Sequence, residues 1–309
     1  MVKTWNEHSA MSDGAEQSIC VGRPALVAYF FANAGLEDAA IPCFDEWRAQ
    51  FPPKTPLYYS HDETKRIMKL TPKAVRKVHD VFSPEKLKTL AQYYYFKNST
   101  TAGAIDACDG HSFEMLITAT VRSYIMVSMP LETEPAVLLA LFKDWCARFG
   151  FSHATAGLGY ELAWFNHTSQ PANPLMLRTG MRFHGVRMFN RQCVLSGEIE
   201  PKTMDTVAWL NYVGPDALEL LGQDPFANLA EGVVREDLGD GVFLQAGAQP
   251  DPCDTNRPGP ELEQLRSVNA ALRPIRTEAW TLKGFTVDPA NGYAVDYDKE
   301  QAWLERLDE

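Results

Sequence analysis

Residues 209–222 read WLNYVGPDALELLG, residues 235–256 read REDLGDGVFLQAGAQPDPCDTN, and residues 261–276 read ELEQLRSVNAALRPIR. The first piece predicts a helix that starts after the turn Gly214-Pro215. Pro215 suits a first helical turn, Asp216 suits the positive helix end, and Gly222 can take a left-handed stop. Gly239-Asp240-Gly241 separates the apolar runs Val233-Val234 and Val242-Phe243-Leu244, as a hairpin turn would. From about Pro260, Leu262, Leu265, Val268, Ala271 and Leu272 recur at helical spacing until Pro274. These are scaffold signals, and the stretch is almost empty of reaction chemistry.

Working outward, Ala25–Ala32 reads as a strand and Leu36–Phe51 as a helix in which Pro42 argues for a break. Leu57-Tyr58-Tyr59 reads as a short strand. Pro72–Phe82 and Pro84–Tyr95 read as two proline-opened helices, the second capped by Ser83. Residues 97–111 read as a loop, Phe113–Val121 and Tyr124–Met129 as paired strands, and Pro135–Phe149 as an amphipathic helix stopped at Gly150. Val186–Leu195 is a candidate strand. Hairpins adjoining helices predict an α+β fold, with antiparallel strand pairs packed on helices. The units at 113–149 and 233–272 suggest two similar halves, though they share no sequence. The expected organisation is a loose leader over 1–20, one domain over 21–285 with a sub-domain division near 165–180 as the alternative, and a tail over 286–309. The tail's short helix, Lys299–Leu307, offers Trp303, Leu304 and Leu307 for docking.

Composition sets limits on function. The 309 residues are 45% hydrophobic, enough for a full core. No apolar run approaches the ~20 residues of a membrane helix, so no membrane partner is expected. The polar N-terminus lacks a signal-peptide pattern, and six scattered cysteines show no disulfide framework; a cytoplasmic location is expected. The net charge of -11 is unevenly spread. Residues 1–100 carry 13 Lys/Arg against 11 Asp/Glu, residues 101–199 carry 7 against 8, and residues 200–309 carry 9 against 21. An acidic end repels nucleic acid and draws a basic protein surface.

Candidate chemistry is sparse. Cys108 and His111, flanked by Asp106 and Asp109, lack the second ligand pair a zinc site needs. His61-Asp62-Glu63 are sequence neighbours and do not converge on one target. Cys146 and Cys193 with His153, His167 and His184 are the raw material for a hidden thiol nucleophile, but nothing local activates a thiol. The glycines of Ala156-Gly157-Leu158-Gly159-Tyr160 lack the third glycine of a phosphate cradle. Basic residues at Lys65, Arg66, Lys69, Lys73, Arg76, Lys77, Lys86 and Lys88 read as a solvated helix face; docked on the acidic end of a second copy, they would make a homodimer. No catalytic residue, cofactor or metal is expected. The acidic loops are the better binding candidates: Glu231, Glu236, Asp237 and Asp240 near the hairpin turn, then Asp251, Asp254 and Glu261. Tyr212, Phe226 and Trp280 are the nearby aromatic candidates for anchors.

The order of pieces resembles one family. A Trp-Leu-Asn helix start, a Leu-Gly helix end, a strand running into Gln245-Ala246-Gly247, a Pro-Asp loop and a helix ending Leu-Arg-Pro-Ile-Arg look like the TsiV-like type VI secretion immunity proteins, paired with VRR-NUC nuclease effectors. Arg23-Pro24-Ala25-Leu26-Val27-Ala28-Tyr29-Phe30-Phe31 looks like that family's first strand. The resemblance covers roughly residues 20 to 285; it departs after Gly222, where Gln223-Asp224-Pro225 replaces a second glycine. It implies a non-enzymatic inhibitor that binds a cognate toxin, a basic nuclease. The alternatives are an enzyme with an unrecognised Cys/His/Asp site, and an adaptor that carries an effector without neutralising it.

Overall fold

A computed structural model describes residues 10–13, 18–32, 36–52, 55–61, 67–87, 92–98, 108, 111–117, 123–162, 173–188, 204–277 and 297–308. The chain builds one antiparallel sheet, with helices on both faces. Its strands are β1 (Ala10–Asp13), β2 (Ser18–Ala32), β3 (Leu57–His61), β4 (Met68–Lys69), β5 (Gln92–Asn98), β6 (Ser112–Ile117), β7 (Ser123–Pro130), β8 (His153–Leu162), β9 (Leu210–Val213), β10 (Val233–Leu238) and β11 (Gly241–Ala246). They lie in the order β10-β11-β9-β8-β2-β7-β6-β5-β3-β4, with β1 also paired to β2. The α+β reading therefore holds at the level of class, with the sheet dominant. Strands from both sides of residues 165–180 join this one sheet, because β8 pairs with β9 from Ala156↔Leu210 to His153↔Val213. Pairing also takes in backbone at 10–13 and 18–20.

The long central strand β2 shows why the sheet is covered twice. Alternate side chains point to opposite faces. Phe30 packs against Phe142, Trp145 and Phe151, with centroids 5.5, 5.1 and 5.0 Å away. Tyr29 and Phe31 face the other way, Phe31 stacking on His153 at 4.7 Å. The Phe30 face is covered by α1 (Leu36–Ala49) and α4 (Pro135–Arg148). These helices are tied together where Trp145 Nε1 donates to Glu46 at 2.7 Å. On the opposite face near the sheet's β11 end, Val213, Val242 and Leu244 form a second core with α6 (Pro215–Leu221) and α7 (Pro260–Leu272). A strand apolar on both sides reads as a continuous run, as Ala25–Ala32 does.

Helix α1 runs unbroken through Pro42. Losing one backbone donor there is offset by complete burial of Ala40 before the proline and of Cys43, Phe44 and Trp47 after it. The helix expected over Pro84–Tyr95 is corrected: α3 covers only Pro84–Leu87, and Gln92–Asn98 is strand β5. An aromatic run suits a strand covered on both faces; Tyr94 stacks with Tyr59 while Tyr95 lies opposite Glu114 on the other face. The Trp-Leu-Asn start is likewise strand, not helix, since Leu210–Val213 pairs with β8 and β11 before Gly214 opens α6. Between them lie α2 (Pro72–Val81), whose Thr71 side chain accepts from Ala74 N at 3.2 Å, and α5 (Asn173–Arg182). The last helix, α8 (Tyr297–Glu305), packs on α5, and Trp303, Leu304 and Leu307 are buried. Only Val186 of the candidate strand Val186–Leu195 falls in a described bridge, parallel to Leu158; residues 189–195 lie outside the described residues.

Candidate functional site

The acidic residues divide into two groups. Glu236, Asp237 and Asp240 lie on the β10–β11 hairpin, at the end of the described sheet, Glu231 lies in the turn before β10, and all four are exposed. The hairpin closes through Gly239 and Asp240, with Leu238 opposite Gly241. Gly239 has φ +58°, where a β-carbon is strained, and one there would also sit 3.2 Å from the Ala147 carbonyl. The turn is thereby pressed against the C-terminal end of α4. From that helix Lys143 pairs with Glu236 and lies over the Phe243 ring, 5.0 Å from its centroid. On the other side of the strand, Arg235 pairs with Asp237 at 3.2 Å and stands over Phe226 at 5.5 Å.

The second group, Asp251, Asp254 and Glu261, is half-buried. Asp254 receives both Arg182 Nε and Nη2, at 3.0 and 2.8 Å, and this guanidinium is the main reason its carboxyl stays below the usual range. Asp251 Oδ1 accepts the Cys253 N–H at 2.6 Å, holding the turn in which Cys253 takes φ +50°. Asp251, Cys253 and Glu261 line a narrow cavity with Trp209, Gly185 and Leu265. Of the candidate anchors, Tyr212 is buried beside Ala154 and Phe243, Phe226 is half-buried, and Trp280 lies outside the described residues. Lys143 and Arg182, which decide how Glu236 and Asp254 are used, carry no local sequence signal: each sits far along the chain from its partner.

The thiols and imidazoles are arranged against nucleophilic chemistry. Cys146 is buried, and burial followed by the neighbouring Cys43 pushes its thiol far up. His184 lies elsewhere, its backbone N–H donating to the Cys253 carbonyl at 3.1 Å. Burial, then Arg306 and Arg266, drives the His184 imidazole down to about 4, while burial, then Asp251, drives the Cys253 thiol up to about 12. A thiolate–imidazolium pair requires the opposite shifts. Cys193 and His167 lie outside the described residues, as do Asp106, Asp109, Asp62 and Glu63. Among the described residues no three His, Cys, Asp or Glu side chains converge as a metal site, and no helix is long and apolar enough to cross a membrane. Lys69, Lys73, Arg76, Lys77 and Lys86 are exposed, Lys86 paired with Asp80; Lys65, Arg66 and Lys88 lie outside the described residues.

One large antiparallel sheet between helices, ending in an exposed acidic hairpin, defines an α+β protein whose most distinctive described surface is a charged edge. The fold is similar to that of the Pseudomonas aeruginosa T6SS protein PA0821, with a TM-score of 0.77 and 20% sequence identity over 94% of this chain and 83% of that one. No curated protein matches the sequence. The model of the TsiV family, type VI immunity for VRR-NUC, matches residues 39–307, and the chain belongs to that family. It is a type VI immunity protein.

Proposed function

We propose that the chain neutralises a VRR-NUC nuclease effector by binding it, with no chemical modification of the toxin, through the acidic β10–β11 hairpin. The observation that carries this reading is the run of exposed carboxylates along the last described strand and its turns, Glu231 before β10, Glu236 and Asp237 on it and Asp240 after it, in a family paired with nucleases. A nuclease must hold phosphodiester backbone and therefore presents Lys and Arg. Carboxylates on a fixed edge speed the encounter and occupy the groups that would contact DNA. The buried, neutral states of Cys146, Cys253 and His184 support a non-enzymatic role. Because the DNA to be protected is cytoplasmic, the inhibitor acts in the cytoplasm.

The test is co-production of the VRR-NUC effector with this chain, scoring cell survival, together with cleavage of plasmid DNA by the two purified proteins. Survival, a stoichiometric complex and loss of cleavage support the reading. A stable complex in which the nuclease still cuts would make the chain an adaptor instead. Restored cleavage after the chain is removed distinguishes blockade from covalent modification.

A further inference from the structure

Among the described residues, no strand pairs with the outer edge of β10, and which backbone groups face that way follows from the sheet register. In an antiparallel strand the N–H and C=O of one residue point to the same side, and those of the next residue to the other. Ala246 N donates to the Trp209 carbonyl at 2.8 Å, so Val242, Leu244 and Ala246 turn toward β9. Gly241, Phe243 and Gln245 therefore turn toward β10, where they face Leu238, Glu236 and Val234. The remaining β10 residues, Val233, Arg235 and Asp237, point their backbones off the sheet. Val233 N is taken by the Ala230 carbonyl at 3.1 Å. Arg235 and Asp237 are exposed, and their two N–H and two C=O groups form the open end of the sheet.

Open edges are templates for another strand, and soluble proteins guard them with charge. The charges here discriminate among partners. A second copy joined antiparallel through Arg235 and Asp237 would set Glu236 against its own counterpart and bring Asp240 beside the loop that holds Glu231. The attraction of Arg235 for the copy's Asp237 would only replace the ion pair each chain already makes. An extended basic segment turns every one of these repulsions into attraction, and Val234, 48% exposed, offers an apolar contact on the same edge.

We propose that β10 is a strand-addition site that takes an extended, Lys/Arg-bearing segment of the nuclease effector onto the backbones of Arg235 and Asp237; this rests on the immunity reading above. The test uses the full-length chain and the catalytically inactivated effector. Arg235→Pro and Asp237→Pro remove outward N–H groups at an edge, where proline is tolerated. Each should weaken binding roughly tenfold or more while the unfolding midpoint holds. Arg235→Ala, which keeps the backbone and removes a cation, should bind as tightly as the parent or tighter. In the unmodified chain, the amides of Arg235 and Asp237 should exchange quickly alone and become protected on adding the effector, a readout that survives misfolding of the proline variants. Proline variants that bind like the parent, or amides left unprotected in the complex, would overturn strand addition while leaving immunity intact. Loss of neutralisation by the parent chain itself would sink the immunity reading instead. Self-association of the parent that Arg235→Pro abolishes would assign the edge to a second copy and overturn the proposal.

Discussion

Arg187 and Asp205 form an ion pair in the interior: Arg187 Nη2 reaches both carboxylate oxygens, at 2.8 and 2.7 Å, and the side chains are 0% and 4% exposed. The guanidinium carbon also lies over the Tyr29 ring of β2, 3.8 Å from its centroid, so one cation joins the central strand to the segment before β9. Breaking a buried pair leaves an uncompensated charge. Arg187→Met and Asp205→Asn should each cost about 3–5 kcal/mol, read as a fall in the urea midpoint. The double variant Arg187→Met/Asp205→Leu should recover much of that loss, because it leaves neither charge unpaired.

The division of the acidic residues predicts separable effects. Asp237→Lys and Asp240→Lys should slow association with the nuclease at low salt and flatten its salt dependence, since these exposed charges act on the encounter. Asp254→Asn should leave the association rate alone and act on stability, because its carboxylate is held by Arg182. Stopped-flow rates across a salt series decide the matter; an equal slowing by Asp254→Asn would erase the distinction.

The C-terminus should matter for stability as much as any core helix. Trp303 is fully buried, Arg276 Nη2 donates to the Leu304 carbonyl at 2.7 Å, and Asn269 donates to both Leu307 O and Asp308. Arg306 donates to the His184 and Trp303 carbonyls and to Thr206. Trp303→Ala should cost about 3–5 kcal/mol. Removing residues 303–309 should cost more, since Arg276 and Asn269 would be left buried with those bonds unmade; thermal melts of both variants check this.

His184 predicts an acid-side loss of stability. Its folded value of about 4 lies below the ordinary 6.5, chiefly through burial. The unfolded chain therefore binds a proton that the folded chain refuses. This contribution is complete above pH 6.5, declines as the pH falls toward about 4, and is constant below that. Its size should be on the order of 1–2 kcal/mol after solvent screening. His184→Gln should flatten the urea midpoint between pH 7 and pH 5 relative to the parent.

The thiols of Cys43, Cys146 and Cys253 should resist alkylation at pH 8 in the native chain and react once it is unfolded, because burial raises all three. Peptide mapping after iodoacetamide treatment gives the answer residue by residue. Rapid native labelling of Cys253 would reopen the case for a working nucleophile.

Much of the local structure was legible in particular residues. Pro215 and Gly222 bracket α6, Gly239-Asp240 closes the β10–β11 hairpin, and Pro260 opens α7, because each of these positions restricts φ or supplies it at no steric cost. The Tyr93–Phe96 run misled as a helix because propensity within a window cannot register that both faces will be covered. Trp209-Leu210-Asn211 misled in the same way: its strand character comes from β8 and β11, distant along the chain. The acidic candidates were legible as charge alone, and nothing in their spacing separated Asp254 from Asp237.

The sequence by itself determined the class of fold, the hairpin and helix boundaries marked by glycine and proline, the acidic bias of the last third and the family. These are set by backbone sterics, local periodicity and composition, all of which act over a few residues or none. Tertiary structure alone decided which carboxylates stay available. Arg182, which holds Asp254, is 72 positions away from it along the chain. Tertiary structure also decided that β10 is the last described strand at its end of the sheet, with the backbones of Arg235 and Asp237 facing outward. Strand order and register come from packing both faces of one sheet at once, a condition no short stretch of chain can state on its own.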